Sequence, residues 1–205
     1  MSLETKVFPP EMQIAHLDDG SKAQAPPLGN SKAVHWRLID HPVHPQAGLP
    51  KVAELETVSW LDVTAVFQNQ QAGKYKVRWR INLNGARPDP VLVGTEFRAV
   101  TFNKDEDSSQ ERAPAALLKA GSVQEFMQHT DRPNTVPGQP KNLEEARVLE
   151  EMPGYDANVQ GFFTLTLPGD VQVEQGGGVV TQIRNHEGNL KSGFQIEYAQ
   201  LVRSD

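Results

Sequence analysis

Three groups of side chains in this sequence have the type and spacing for chemistry: an indole beside a histidine, a histidine pair, and a row of cations. The indole is Trp36, in Val34-His35-Trp36-Arg37-Leu38. Its flat face could stack on the apolar side of a pyranose ring; it could equally fill the core of a β domain, the more usual place for tryptophan. Both readings stay open at this point. His41-Pro42-Val43-His44, with His35 nearby, has ligand types that suit zinc. However, the neighbouring prolines hold the backbone extended and deny the pair one common face. No carboxylate falls at an obvious ligand spacing. A turn with exposed histidines is the better reading, and no metal site is expected.

The cations are Lys76, Arg78 and Arg80, on alternate positions of one stretch. Such a row could floor a groove for an anionic ligand such as a phosphate backbone. More often it serves solubility and cross-strand pairing with acids. The net charge of −6 and the lack of interleaved aromatics favour the second reading. Nothing in the chain assembles a catalytic set. There is no Gly-x-Ser-x-Gly and no plausible triad spacing. Gly176-Gly177-Gly178 precedes a strand and lacks the Lys-Ser/Thr ending of a phosphate loop. The expectation is a non-enzyme without a cofactor.

The totals bound the class. With 205 residues the chain is read as one domain that can bury a real core. Hydrophobic residues at 38% and charged ones at 22% exclude general disorder, while 16 Gly and 15 Pro require many turns. An acidic balance, 26 Asp and Glu against 20 Lys and Arg, argues against nucleic acid or an anionic membrane as principal partner. No apolar run has the length of a membrane span, and the N-terminus lacks a secretory layout. Zero Cys excludes disulfides and thiolate metal sites and suits the cytosol. A cytoplasmic or nucleocytoplasmic protein is expected, with secretion by an unusual route left open.

The elements that must position these side chains read as strands. Tyr75, Val77, Trp79, Ile81 and Leu83 alternate strictly with Lys76, Arg78, Arg80 and Asn82, so one face belongs to the core. Residues 52–67 read as a strand pair, or one strand with an irregular break. The apolar phase slips between Trp60 and Val63, which predicts a bulge or a change of sheet, and Trp60 is assigned to the core. Residues 91–102 read as a strand broken near Gly94, and 161–173 as β structure turning at Pro168-Gly169-Asp170. At the end, the turn-forming octet 186–193 runs into a strand and is placed as a closing hairpin. There Phe194 and Ile196 give way to Ala199 and Leu201, a slip of one that predicts a β-bulge near Glu197-Tyr198.

Two regions differ. Residues 1–33 form an irregular N-terminal segment, with Pro9-Pro10, Pro26-Pro27 and one apolar patch at 12–17 that suits a strand. The sandwich domain then covers 34–205, with an insertion at about 104–158. Within it, residues 113–127 have helical spacing, weakened by Gly121. Residues 142–152 read as a short helix capped by Asn142 and stopped by Pro153-Gly154. The fold expected is all-β: an antiparallel β-sandwich of jelly-roll type with a partly helical insertion.

Two stretches carry a family likeness. Residues 188–201, with Lys191-Ser192-Gly193 leading into a strand, resemble the C-terminal signature of the plant phloem-protein-two lectins, the Nictaba-type family. Residues 52–63, with Glu54-Leu55 ahead of Val58-Ser59-Trp60-Leu61-Asp62, are similar to that family's other signature. The resemblance implies a lectin for N-acetylglucosamine oligomers or N-glycan cores. Carried over, it makes Trp36 the stacking platform, with Glu187, His186 and Asn189 as polar partners. His16 stands where the family has a first Trp, and Leu190 where it often has an aromatic. The expected partner is an oligosaccharide or glycoprotein, with a homodimer left open. The alternative is a protein-interaction module on the same sandwich that has lost its sugar site.

Overall fold

The structure, a computed structural model, describes residues 4–8, 12–14, 35–41, 51–83, 92–104, 113–119, 121, 128–131 and 162–205. In chain order the strands are β1 (Glu4–Val7), β2 (Gln13–Ile14), β3 (Trp36–Ile39), β4 (Val52–Leu55), β5 (Leu61–Phe67) and β6 (Gly73–Asn82). They continue with β7 (Glu96–Phe102), β8 (Ala116–Lys119), β9 (Phe163–Thr166), β10 (Val171–Val173), β11 (Gly178–Asn185) and β12 (Gln195–Arg203). Two antiparallel sheets result, in a sandwich-like arrangement. One runs β2-β5-β11-β7-β8. The other runs β10-β6-β12-β4-β3, with β9 beside β10 along one edge of β6 and β1 beside β4 along one edge of β12.

Period-two sequence explains the core between them. Tyr75, Val77, Trp79 and Ile81 point inward from β6, each at most 3% exposed. Leu61, Val63, Ala65 and Phe67 do the same from β5, each at most 1% exposed. All eight join one hydrophobic cluster. The Trp79 Nε1–H donates across the core to Thr181 Oγ1 at 3.0 Å, and that hydroxyl donates to the Arg98 carbonyl at 3.0 Å. The indole's one polar atom is thus satisfied where an orphaned donor would be costly. The β12 register shifts between Ile196 and Tyr198, as its apolar slip predicts.

Several expectations are corrected. The break in 52–67 is a change of sheet: β4 and β5 belong to different sheets, joined by 56–60. Trp60 therefore sits on the crossover at 38% exposure, outside the core to which it was assigned. Residues 186–193 are not the turn of a hairpin, because β11 and β12 also lie in different sheets. Inside 113–127 the chain forms β8 instead of a helix, with Ala116 and Leu118 buried and Leu117 exposed. A four-residue apolar run satisfies both periods, and pairing with β7 selects the extended one. The second helix expected, 142–152, lies outside the described residues. His41 is not exposed: it is 6% accessible, against Phe162 and 3.7 Å from Glu197. At the N-terminus β1 pairs with β12, in addition to the strand expected near β2. Among the described residues no helix is long and apolar enough to cross a membrane.

Candidate functional site

The two crossovers, 56–60 and 186–194, meet at one end of the sandwich. Val58 and Lys191 exchange a pair of backbone hydrogen bonds at 2.9 and 2.7 Å. Leu55 N–H donates to the Phe194 carbonyl at 2.8 Å, and Gly193 N–H donates to the Leu55 carbonyl at 3.0 Å. The Gln195 amide donates to Glu54 Oε1 at 2.8 Å. The two stretches that carry the family resemblance therefore form one locus, although Ser59 and Lys191 are 132 positions apart.

Lys191 fastens this locus from inside. Its side chain is completely buried, and its Nζ donates to the carbonyls of Ser59 (2.6 Å), Glu187 (2.7 Å) and Asn189 (2.8 Å). An ammonium has three protons, and each finds an acceptor. Burial pulls its pKa below the ordinary lysine value, with the Glu187 charge opposing the shift. Asn185 provides a second fastening. Its Nδ2 donates to Val93 O (3.1 Å) and Thr95 Oγ1 (2.8 Å), while its Oδ1 accepts from the Glu187 N–H (3.1 Å). Gly94, at φ +78°, lies directly beneath the Glu187 carboxylate: a Cβ there would fall 2.2 Å from Oε1. Only glycine accommodates both that backbone conformation and that approach.

The outer side of this anchored loop is the candidate site. The Trp60 ring stacks on His186, with centroids 5.1 Å apart and planes 16° from parallel. His186 Nε2 lies 3.4 Å from Asp62 Oδ2, and Arg184 Nε lies 3.8 Å from the same oxygen. Asp62 is mostly buried, and burial raises its pKa above the usual carboxylate value. The charges of Arg184, His186 and Arg98 and a hydrogen bond from His186 work against that rise. Glu187, Asn189 and Leu190 follow His186 on the same loop and are exposed, Leu190 at 69%. The arrangement offers an indole backed by an imidazole, a carboxylate beneath them, and an amide and second carboxylate on the turn. Among the described residues no cluster of three or more His, Cys, Asp or Glu is placed to hold a metal ion.

Of the residues singled out by sequence, His186, Glu187 and Asn189 come together here. His16 lies outside the described residues. Trp36 is at the same end, its backbone opposite Leu55, but its indole is 7% exposed and belongs to the core cluster. That burial corrects the platform reading of Trp36, since stacking needs an open ring face. The aromatic that sequence reasoning missed is Trp60. Its signal was the phase slip itself: a tryptophan where periodicity fails has no assured place in the core.

No family model and no curated protein matches the chain. Among solved structures it is similar to a Podospora anserina GH26-CBM35 β-(1,4)-mannanase, at 9% identity and a TM-score of 0.42, covering 98% of this chain and 28% of that one. It is also similar to a Bacillus thuringiensis Cry1Da tryptic core variant, at 10% identity and a TM-score of 0.37, covering 83% of this chain and 21% of that one. The chain thus spans less than a third of the length of either protein. Likenesses at this level leave function to the site itself.

Proposed function

We propose that this chain is a non-catalytic, lectin-like protein on a jelly-roll sandwich, which binds N-acetylglucosamine oligomers or N-glycan cores at the Trp60 rim. The observation that carries the reading is an exposed tryptophan, backed by His186 and bordered by Asp62, on a loop anchored by a buried lysine. Sugar recognition needs an apolar plate for the pyranose face and fixed polar groups for hydroxyls and acetamide. Trp60 supplies the plate; Asp62, His186, Asn189 and Glu187 supply the polar groups. The contact between the two family-like stretches supports the Nictaba-type reading, with the platform moved from Trp36 to Trp60.

The test is a titration with chitotriose followed by tryptophan fluorescence. Of the three tryptophans, only Trp60 is substantially exposed, so binding is expected to perturb its emission. Trp60→Ala should weaken binding at least about tenfold, the loss expected for one stacked aromatic. Trp36→Phe should leave it intact. Chitotriose binding that survives Trp60→Ala would defeat the proposal. Leu190 favours a second reading, because an apolar side chain 69% exposed on the loop that carries His186 also suits a protein partner. A blank glycan array, together with a protein partner lost in Leu190→Ser, would select that alternative.

A further inference from the structure

We propose that a polar cleft on the outer face of the β6 sheet binds the carboxylate of a small hydroxylated acid, with Arg78 as its anchor. The cleft measures about 490 Å³ and is walled by β6, β9 and residues 128–131. Its size falls within the range of about 300–1,000 Å³ usual for small-ligand sites. The walls are held in place: Thr166 N–H donates to the His129 carbonyl, and Asp131 N–H to the Thr164 carbonyl, both at 2.9 Å.

Charge pairing singles out Arg78 within its row. Lys76 is engaged by Asp170 at 2.7 Å. Arg80 reaches Asp131 at 3.3 Å, Glu197 at 3.5 Å and the Thr164 hydroxyl at 3.2 Å. Between them, Arg78 stands opposite Thr166 on β9 and Gln200 on β12. The Gln200 amide is directed to Glu4, at 3.0 Å. Arg78 Nε is buried without a hydrogen-bond partner, and among the described residues no carboxylate pairs with its guanidinium. A guanidinium cannot shed its charge, so Arg78 keeps a positive charge in the cleft wall with no carboxylate beside it to offset it.

The shape of the deficit defines the ligand. A planar guanidinium in the cleft wall, with no carboxylate partner among the described residues, matches a carboxylate ligand, which can take two parallel hydrogen bonds from such a fork. Only one cation of the row is available, whereas a phosphate backbone requires several. Asp131 also lines the cleft, but it faces Arg80 and accepts from the Thr164 N–H at 2.7 Å. The remaining wall includes Thr130, Thr166 and His129, which suits a ligand bearing hydroxyls. A sugar acid combines both features. The cleft shares no lining residue with the rim and does not depend on it.

The experiment follows the Arg78 Nε–Hε resonance, assigned with Arg78→Lys, during titration with glucuronate, acetate or glucose. Glucuronate is expected to shift it saturably and glucose to leave it in place. A glucuronate effect stronger than that of acetate identifies a sugar acid; equal effects identify a simple organic acid, and either supports a carboxylate site. Arg78→Gln should weaken glucuronate binding at least about tenfold, from the loss of a charged bidentate contact, with an unchanged melting temperature. Trp60→Ala should leave this titration unaltered, which separates its outcome from that of the rim. Absence of any shift with both acids, a glucose effect equal to that of glucuronate, or full binding by Arg78→Gln would overturn the proposal.

Discussion

Trp79 stands in the middle of β6, fully buried, its ring nitrogen bonded across the core to Thr181. Trp60 stands on the crossover from β4 to β5, 38% exposed, its ring lying on His186. The same residue type has opposite surroundings because its backbone does. On β6 the ladder to β12 fixes which side chains face inward, and strict alternation puts Trp79 among them. Between the sheets no ladder sets a phase, so contacts with the neighbouring loop place Trp60. One indole is committed to the core; the other keeps part of its surface open to solvent.

The sharpest way to break this comparison is to truncate each ring. Trp79→Ala should cost about 3–5 kcal/mol in denaturant unfolding, the range for emptying a packed aromatic site. Trp60→Ala should cost under about 1 kcal/mol, since it loses only one stacking contact and some exposed area. Equal losses would mean that the rim is part of the core, and the distinction would fall.

Lys191→Met comes next in size. The methionine keeps an unbranched apolar stem but removes the donor shared by the carbonyls of Ser59, Glu187 and Asn189. Leaving such acceptors unsatisfied should destabilise the protein by about 2–3 kcal/mol. It should also speed amide exchange at Val58 and Gly193, whose hydrogen bonds join the two crossovers. Chitotriose binding should weaken with Trp60 still in place, because the plate and its polar partners would no longer be held in one geometry. A Met variant that binds as tightly as the parent would show that the rim needs no internal anchor.

These residues also mark how far the sequence could be read. Alternation made β6 legible, the one-residue slip revealed the β12 bulge, and Gly94 marked a break in 91–102, although the strand begins only at Glu96. The octet 186–193 was legible as a turn, but turn chemistry says only that the chain changes direction. Which sheet it enters depends on partners far away in sequence. Trp60 and His41 were misplaced for the same reason: burial in a connection is decided by tertiary neighbours such as His186 and Phe162. The row from Lys76 to Arg80 was legible as a cationic face, but not the unequal pairing that leaves Arg78 apart from its neighbours.

The smallest predicted effect is a test of sign at the rim. Burial, the largest cause, raises the folded-state pKa of Asp62 above its ordinary value of 3.8, while Arg184, His186 and Arg98 oppose the rise. The folded protein therefore holds the Asp62 proton more tightly than the unfolded chain does. The resulting stability is fully present below pH 3.8 and is lost as pH rises through the elevated folded-state value. At neutral pH the ionised carboxylate is a net cost, and Asp62→Asn, of similar shape and uncharged, should raise stability by under about 1 kcal/mol. The gain should vanish in acid, where both side chains are neutral, and thermal melts across that range would trace it. Chitotriose binding should weaken in the same variant, since an ionic acceptor is removed from the rim. A rim that keeps a destabilising charge contrasts with the Trp79 core, where the buried polar group is satisfied. Should Asp62→Asn instead melt lower at neutral pH, the ion pairs with Arg184 and His186 would outweigh burial, and the rim would resemble the core after all.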